Sequence, residues 1–272
     1  MTRGEIAARL RAAGIDESAA EARLLFCRFS GLSPAAALAA PEAEWDGEAL
    51  RDAVRRREER EPLAYILGEG WFFAERYRLS PDCLIPRPET EMLVEYAIAH
   101  LPRGGRFADF CTGSGCVAIS CAAHRPDCRG EGFDISPGAI RMATENAREN
   151  GVAERVRFFA CDLLAPAAFP GAGGYAMILA NPPYITRAAM EELPPEVRRE
   201  PRAALFGGED GMDFYRAFLR DYRALLLPGG EFVFEIGYDE GDAIRRAAAE
   251  AGYGACRVFP DAAGLCRMAV IG

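Results

Sequence analysis

Arg106-Phe107-Ala108-Asp109-Phe110-Cys111-Thr112-Gly113-Ser114-Gly115 decides how this chain is read. Arg106–Phe110 reads as a short strand. A loop of small residues follows, and Cys116-Val117-Ala118-Ile119 continues at helical spacing toward His124. A strand that turns through glycines into a helix is the opening unit of a parallel α/β sheet. Glycines let backbone approach a ligand closely, and the helix N-terminus that follows favours an anion or a dipole.

Outward from this unit the same alternation continues. Further strands are expected near Glu131–Ile135, Val156–Cys161, Ala176–Ala180, Glu231–Ile236, Gly254–Phe259 and Cys266–Ile271. Helices are expected at Cys116–His124, Pro137–Asn150, Asp213–Leu226 and Glu240–Ala251. Seven strands ending in a hairpin-like pair suit a doubly wound, Rossmann-like α/β fold with one antiparallel edge strand. Ahead of this region, residues 1–70 read as a helical domain. Ile6, Leu10 and Ala13 share one helix face, and Ser18 with Glu21 has the spacing of a capping box. The run Arg55-Arg56-Arg57-Glu58-Glu59-Arg60-Glu61 is expected to be a solvated helix face. Residues 71–88 read as a hairpin linker, which leaves 89–272 for the α/β domain.

Composition narrows the function classes. The 272 residues carry a net charge of −9, which argues against stable nucleic-acid binding. Nine cysteines, only two histidines and no Cys-x-x-Cys pair point to free thiols rather than a metal site. All 32 basic residues are arginine. No apolar run reaches the roughly 18 residues of a membrane span. The N-terminus begins an amphipathic pattern instead of a leader, so a cytoplasmic location with no membrane attachment is expected.

Asp134 stands nineteen residues past Gly115, at the end of the second strand, where an acid can accept from both hydroxyls of a ribose. Asp162 and Leu163 end the third strand, placed to meet an adenine amino group and its ring. Cys111, Thr112, Gly113, Ser114 and Gly115 complete a cofactor crevice. Asp109 reads as a brace for that loop. The loop and Asp134 alone leave NAD and S-adenosylmethionine equally open.

Asn181-Pro182-Pro183-Tyr184 follows the fourth strand, Tyr175-Ala176-Met177-Ile178-Leu179-Ala180. Asn offers an acceptor and two donors on a short stem. Two prolines fix φ and carry no N–H, so their carbonyls are rigid acceptors. Tyr184 offers a flat face. Together they suit a planar NH2 group. With the glycine loop, this tetrapeptide resembles that of class I S-adenosylmethionine-dependent methyltransferases that act on planar nitrogens.

Three further stretches sharpen the resemblance. Ile85-Pro86-Arg87-Pro88-Glu89-Thr90-Glu91, Phe206-Gly207-Gly208-Glu209-Asp210-Gly211-Met212-Asp213-Phe214-Tyr215 and Glu235-Ile236-Gly237-Tyr238 are similar to those of the peptide chain release factor N5-glutamine methyltransferases (the PrmC/HemK family). The resemblance covers nearly the whole chain. It implies methyl transfer from S-adenosylmethionine to the glutamine of a Gly-Gly-Gln motif in class I release factors. Asn181, Pro182 and Tyr184 would carry the chemistry, with Asn181 also beside the cofactor and Pro183 beside the substrate. Arg87, Glu89 and Thr90 would shape the substrate mouth. That family usually has glycine in place of Cys111. A positive φ there would strain cysteine by roughly 1–2 kcal/mol, whereas a negative φ would accept it. The rival readings are a DNA or RNA amino-methyltransferase, a ribosomal-protein glutamine methyltransferase, an NAD-dependent dehydrogenase and a non-catalytic binding module.

Overall fold

The computed structural model describes residues 1–272. The chain forms two compact units. One comprises Met1–Glu69 with Pro194–Arg199, the other Gly70–Leu193 with Glu200–Gly272. The hairpin therefore counts, from Gly70 on, with the larger unit.

The smaller unit holds α1 (Arg3–Ala12), α2 (Ser18–Ser30), α3 (Pro34–Ala39), α4 (Glu48–Glu58) and α5 (Leu63–Leu67). Ile6, Leu10, Leu25, Phe26, Leu50 and Val54 close its core. The capping box forms at Thr2 and Glu5, not at Ser18 and Glu21. Glu21 is drawn instead to Arg57, whose Nε lies 2.6 Å from it. The Arg57 side chain is only 6% exposed. Its Nη1 also meets Glu196 at 2.9 Å, and Arg60 Nη2 meets the other oxygen of Glu196 at 2.9 Å. The charge run is thus not uniformly solvated. Arg55 pairs on the outside with Asp52 and Glu59, while Arg57 points inward. These ion pairs also explain why Pro194–Arg199 belongs to this unit.

The larger unit opens with the hairpin β1 (Glu69–Phe72) and β2 (Glu75–Arg78). Buried Tyr77 reaches Ser120 at 2.7 Å. The Arg78 N–H donates to the Asn146 side chain at 2.7 Å, and that side chain donates back to the Arg78 carbonyl at 3.1 Å. The hairpin is thereby fixed to the α/β fold. A 3-10 turn at Pro88–Thr90 leads into α6 (Glu91–His100). Then follow β3 (Arg106–Phe110), α7 (Cys116–His124), β4 (Arg129–Asp134), α8 (Pro137–Glu149), β5 (Val156–Ala160) and β6 (Tyr175–Ala180). α9 (Asp213–Asp221), β7 (Leu226–Glu235), α10 (Gly241–Glu250), β8 (Cys256–Pro260) and β9 (Cys266–Ile271) complete it.

The main sheet has the order β5-β4-β3-β6-β7-β9-β8. β9 is antiparallel to both its neighbours. The expected antiparallel edge strand is therefore corrected: the antiparallel strand is interior, and β8 is the edge. Their sequences explain the exchange. Met268-Ala269-Val270-Ile271 is continuously apolar and buried, as an interior strand requires. β8 carries Arg257 and ends on Pro260, which an edge tolerates. The helix expected through Leu226 stops at Asp221, because Tyr222 turns into the core against Phe110, with ring centroids 4.9 Å apart.

At the end of β3, Cys111 has φ of 57°, a left-handed conformation. The strained branch of the expectation therefore holds. An unbranched Cβ is tolerated there, whereas a β-branched one is a genuine outlier.

Two stability predictions follow from these contacts. Arg57→Ala strands the Glu21 carboxylate, while Glu196 keeps Arg60, and should lose about 3 kcal/mol in chemical denaturation of the full chain, as for other broken buried pairs. Arg55→Ala should have no measurable effect, and an equally small loss at Arg57 would mean that its pairing is solvated after all. At position 111 the order of stability should be Gly at or above Cys, with Val lower than Cys by about 1–2 kcal/mol. A Val variant as stable as the parent would show that the backbone there does not hold a left-handed turn.

Candidate active site

The carboxyl ends of β3, β4, β5 and β6 surround a cavity of ≈ 640 Å³ within the larger unit. Each loop contributes according to its local chemistry. Asp109 is buried and accepts from the Thr112 hydroxyl at 2.5 Å and from the Ala118 N–H at 3.2 Å. Thr112 N–H donates to the Phe133 carbonyl at 2.9 Å. Asp109 thus braces the loop between β3 and α7. Burial pushes its carboxyl up to about 7, against those two donors.

Asp134 accepts from the Gly113 N–H and the Ser136 N–H, both at 2.9 Å. Burial raises its pKa, and the donated backbone N–H groups oppose that shift. Ser136, not Asp134, caps α8. Asp162 takes the Leu164 N–H at 2.8 Å and is exposed. Cys111, Thr112, Gly113, Ser114, Asp134, Asp162, Leu163, Asn181 and Pro183 all lie on the cavity wall. Gly115 does not. A Cβ on it would come within 3.0 Å of Ala143 and Ile119, so its glycine serves helix packing. Leu163 reaches the wall but is mostly core, at 4% exposure.

Sequence reasoning passed over two apolar wall residues, Ile135 and Leu164, which are 56% and 46% exposed. Their position was the available signal, since each follows a strand-end acid by one or two residues. An exposed aliphatic side chain beside such an acid suits the face of a planar ring.

At the far end, Asn181 Nδ2 donates to Thr90 Oγ1 at 3.1 Å. The Thr90 hydroxyl donates to Glu235 Oε2 at 2.5 Å, and Tyr184 donates to Glu235 Oε1 at 3.2 Å. Thr90 and Glu235 are 2% and 3% exposed. Burial drives the Glu235 carboxyl up to about 7, while the Thr90 and Tyr184 hydroxyls hold it down. No protein donor reaches Asn181 Oδ1. Pro182 is buried behind the wall and Tyr184 is half-buried there. Arg87 pairs with buried Glu200, whose other oxygen takes the Ile85 N–H at 3.0 Å. Arg87 and Glu89 also lie off the wall, whereas Thr90 is on it. Glu235 was quoted in a motif but given no role, because its burial at a strand end is invisible in sequence.

Comparison with known proteins places the chain in a family. A family model described as "PrmC N-terminal domain" matches residues 3–68, and "Methyltransferase small domain" matches residues 88–196. A release factor glutamine methyltransferase of Rhodospirillum rubrum is 43% identical over 84% of this chain and 71% of its own. One of Cereibacter sphaeroides is 41% identical over 96% of this chain and 93% of its own. Among solved structures, a ribosomal protein L11 methylase of Lactobacillus delbrueckii subsp. bulgaricus has TM-score 0.51 at 21% identity, covering 72% of this chain and 84% of its own. A methyltransferase of Pyrococcus furiosus has TM-score 0.54 at 17% identity, covering 72% and 86%. These two likenesses show the class I methyltransferase fold alone. The relatives and the two domain matches show more: this chain belongs to the release factor glutamine methyltransferases, a family of S-adenosylmethionine-dependent enzymes.

Proposed function

We propose that this chain methylates the side-chain amide nitrogen of the glutamine in the Gly-Gly-Gln motif of class I peptide chain release factors. The product is N5-methylglutamine: the new N–CH3 bond replaces the S–CH3 bond, the sulfur would leave as a neutral thioether, and one amide proton departs to solvent after attack. The observation that carries the reading is the Asn181 carboxamide, held by its nitrogen with its oxygen left without a protein donor. Asn181 Oδ1 and the Pro182 carbonyl accept from the two hydrogens of the substrate amide. That fixes the poorly nucleophilic nitrogen in line and stabilises positive charge as it develops. Tyr184, held through its hydroxyl by Glu235, packs on the amide plane.

The cavity fits S-adenosylmethionine by the chemistry of its wall. Its charged side chains are Asp82, Asp109, Asp134, Asp162 and Asp213 against the single cation Arg202. Such a wall suits a sulfonium and hydroxyl donors, and it opposes the pyrophosphate of a dinucleotide. Asp134 would hold the ribose, Asp162 the adenine amino group, and Ile135, Leu163 and Leu164 the ring. The loop Cys111–Ser114 would take the rest. When bound, this cofactor supplies an electrophilic methyl group on sulfur.

A bare amide offers little binding energy, so selection among glutamines falls to surface remote from the methyl group. We assign that role to the helical unit and the bulk of a release factor. Arg87 and Glu89 shape the substrate mouth. No helix is long and apolar enough to cross a membrane. With the acidic net charge, that supports a cytoplasmic enzyme with no stable hold on nucleic acid.

In calorimetry, Asp134→Ala should weaken S-adenosylmethionine binding by about 2–4 kcal/mol, the worth of two charge-assisted hydrogen bonds. Unchanged affinity in a variant of native circular dichroism would remove Asp134 from the site. The function itself is tested with labelled methyl donor, offering a class I release factor and duplex DNA side by side. The release factor should be labelled at its Gly-Gly-Gln glutamine, and Asn181→Ala should lose roughly 100-fold or more in turnover. Efficient labelling of the DNA instead would overturn the assignment in favour of an amino-methyltransferase of nucleic acid.

A further inference from the structure

We propose that Thr90 and Glu235 set which way the Asn181 carboxamide faces, and that both are positioning residues for methyl transfer. The proposal deepens the glutamine reading above and rests on it. An asparagine side chain has two nearly isosteric orientations, related by exchange of its oxygen and nitrogen. Only one of them presents an acceptor to the hydrogens of a substrate NH2 group. The other sets donor against donor.

The choice is made by a chain of hydrogen bonds that runs in one direction. Above its raised pKa of about 7, where the test is run, Glu235 is a carboxylate that accepts and cannot donate. Glu235 Oε2 therefore takes the single Thr90 hydroxyl proton, at 2.5 Å. What remains on Thr90 Oγ1 is lone pairs, and one of them takes a proton of Asn181 Nδ2 at 3.1 Å. A flipped carboxamide would place its oxygen against that oxygen. Burial makes the selection firm, because no bulk water replaces a lost partner at Thr90 or Glu235.

Glu235 is itself held in place. Tyr184 donates to its Oε1 at 3.2 Å, and the Tyr215 hydroxyl donates to its main-chain carbonyl at 2.8 Å. The members of the chain are far apart in sequence, 91 positions between Asn181 and Thr90 and 145 between Thr90 and Glu235. Helix or strand periodicity cannot produce such a juxtaposition; only the fold brings them together.

The test uses the full chain with Thr90→Val, which keeps the shape and removes the hydroxyl, and Thr90→Ser, which restores it. Against whole release factor, Thr90→Val should lower kcat by roughly 10- to 100-fold, the scale of a mispositioned reacting group. Its KM for release factor and its S-adenosylmethionine affinity should not change, and Thr90→Ser should recover most of the lost turnover. A second readout needs no substrate. In nitrogen-15 spectra, the Asn181 side-chain NH2 signals, identified by their loss in Asn181→Ala, should shift and exchange faster with water in Thr90→Val. Glu235→Gln should perturb the same signals. If the wild type fails to methylate release factor, the glutamine reading falls while the carboxamide signals still judge the relay. Unmoved signals in Thr90→Val, or a kcat equal to the parent's, would overturn the relay, as would a loss that Thr90→Ser does not repair.

Discussion

The hydrogen bond from Asn181 to Thr90 joins the end of β6 to the turn ahead of α6, and Glu235 at the end of β7 closes the link. Three segments distant in sequence must therefore be correctly folded before the Asn181 carboxamide is held in one orientation. The backbone on the other side is held as tightly. The Ile185 N–H donates to the Leu205 carbonyl at 2.9 Å, and the Gly207 N–H returns to the Ile185 carbonyl at 3.0 Å. A Cβ at Gly207 would meet the Pro183 carbonyl oxygen at 2.5 Å, and one at Gly211 would meet the Tyr184 carbonyl oxygen at 2.4 Å. These two glycines let the chain lie flush against the Pro183-Tyr184 backbone. The glycine-rich stretch after Phe206 thus serves packing against the Asn181–Tyr184 loop.

The cofactor end obeys a different constraint, since a loop of small residues must stay open where nothing apolar fills it. Asp109 and Asp134 brace it from two sides through Thr112, Ala118 and Gly113. Cys111 sits in a left-handed turn between them, a backbone conformation that favours glycine. The strain of about 1–2 kcal/mol is offset in part, because its side chain packs against the buried core of the larger unit. A glycine would relieve the strain and lose that contact.

Much of this was legible in the sequence, because strand-end chemistry is local. Asp134, Asp162 and Asn181 each stand at the end of an expected strand, and the structure gathers all three on one cavity. Tertiary choices were not legible. Glu21 had the spacing to cap α2, but a buried guanidinium from α4 outbids a backbone N–H that solvent can satisfy. Arg57 looked like one charge among seven, and nothing in the run itself says which residue turns inward. The order of β8 and β9 depends on which strand is apolar on both faces, which was readable, and on which neighbour it joins, which was not.

Several residues of the stretches Ile85–Glu91, Phe206–Tyr215 and Glu235–Tyr238 lie behind the cavity wall and not on it. Arg87 clamps Glu200, Glu235 sits behind Thr90, and Gly207 and Gly211 lie under the Asn-Pro-Pro-Tyr loop. The reason is chemical. An amide of glutamine, the exocyclic nitrogen of adenine and that of cytosine all present a planar NH2 group, so the wall that receives it needs the same few acceptors in each case. What must differ is the angle at which those acceptors are held and the shape of the mouth that admits the group. Both are set by the residues behind the wall, where a displacement of about 1 Å costs on the order of 100-fold in rate.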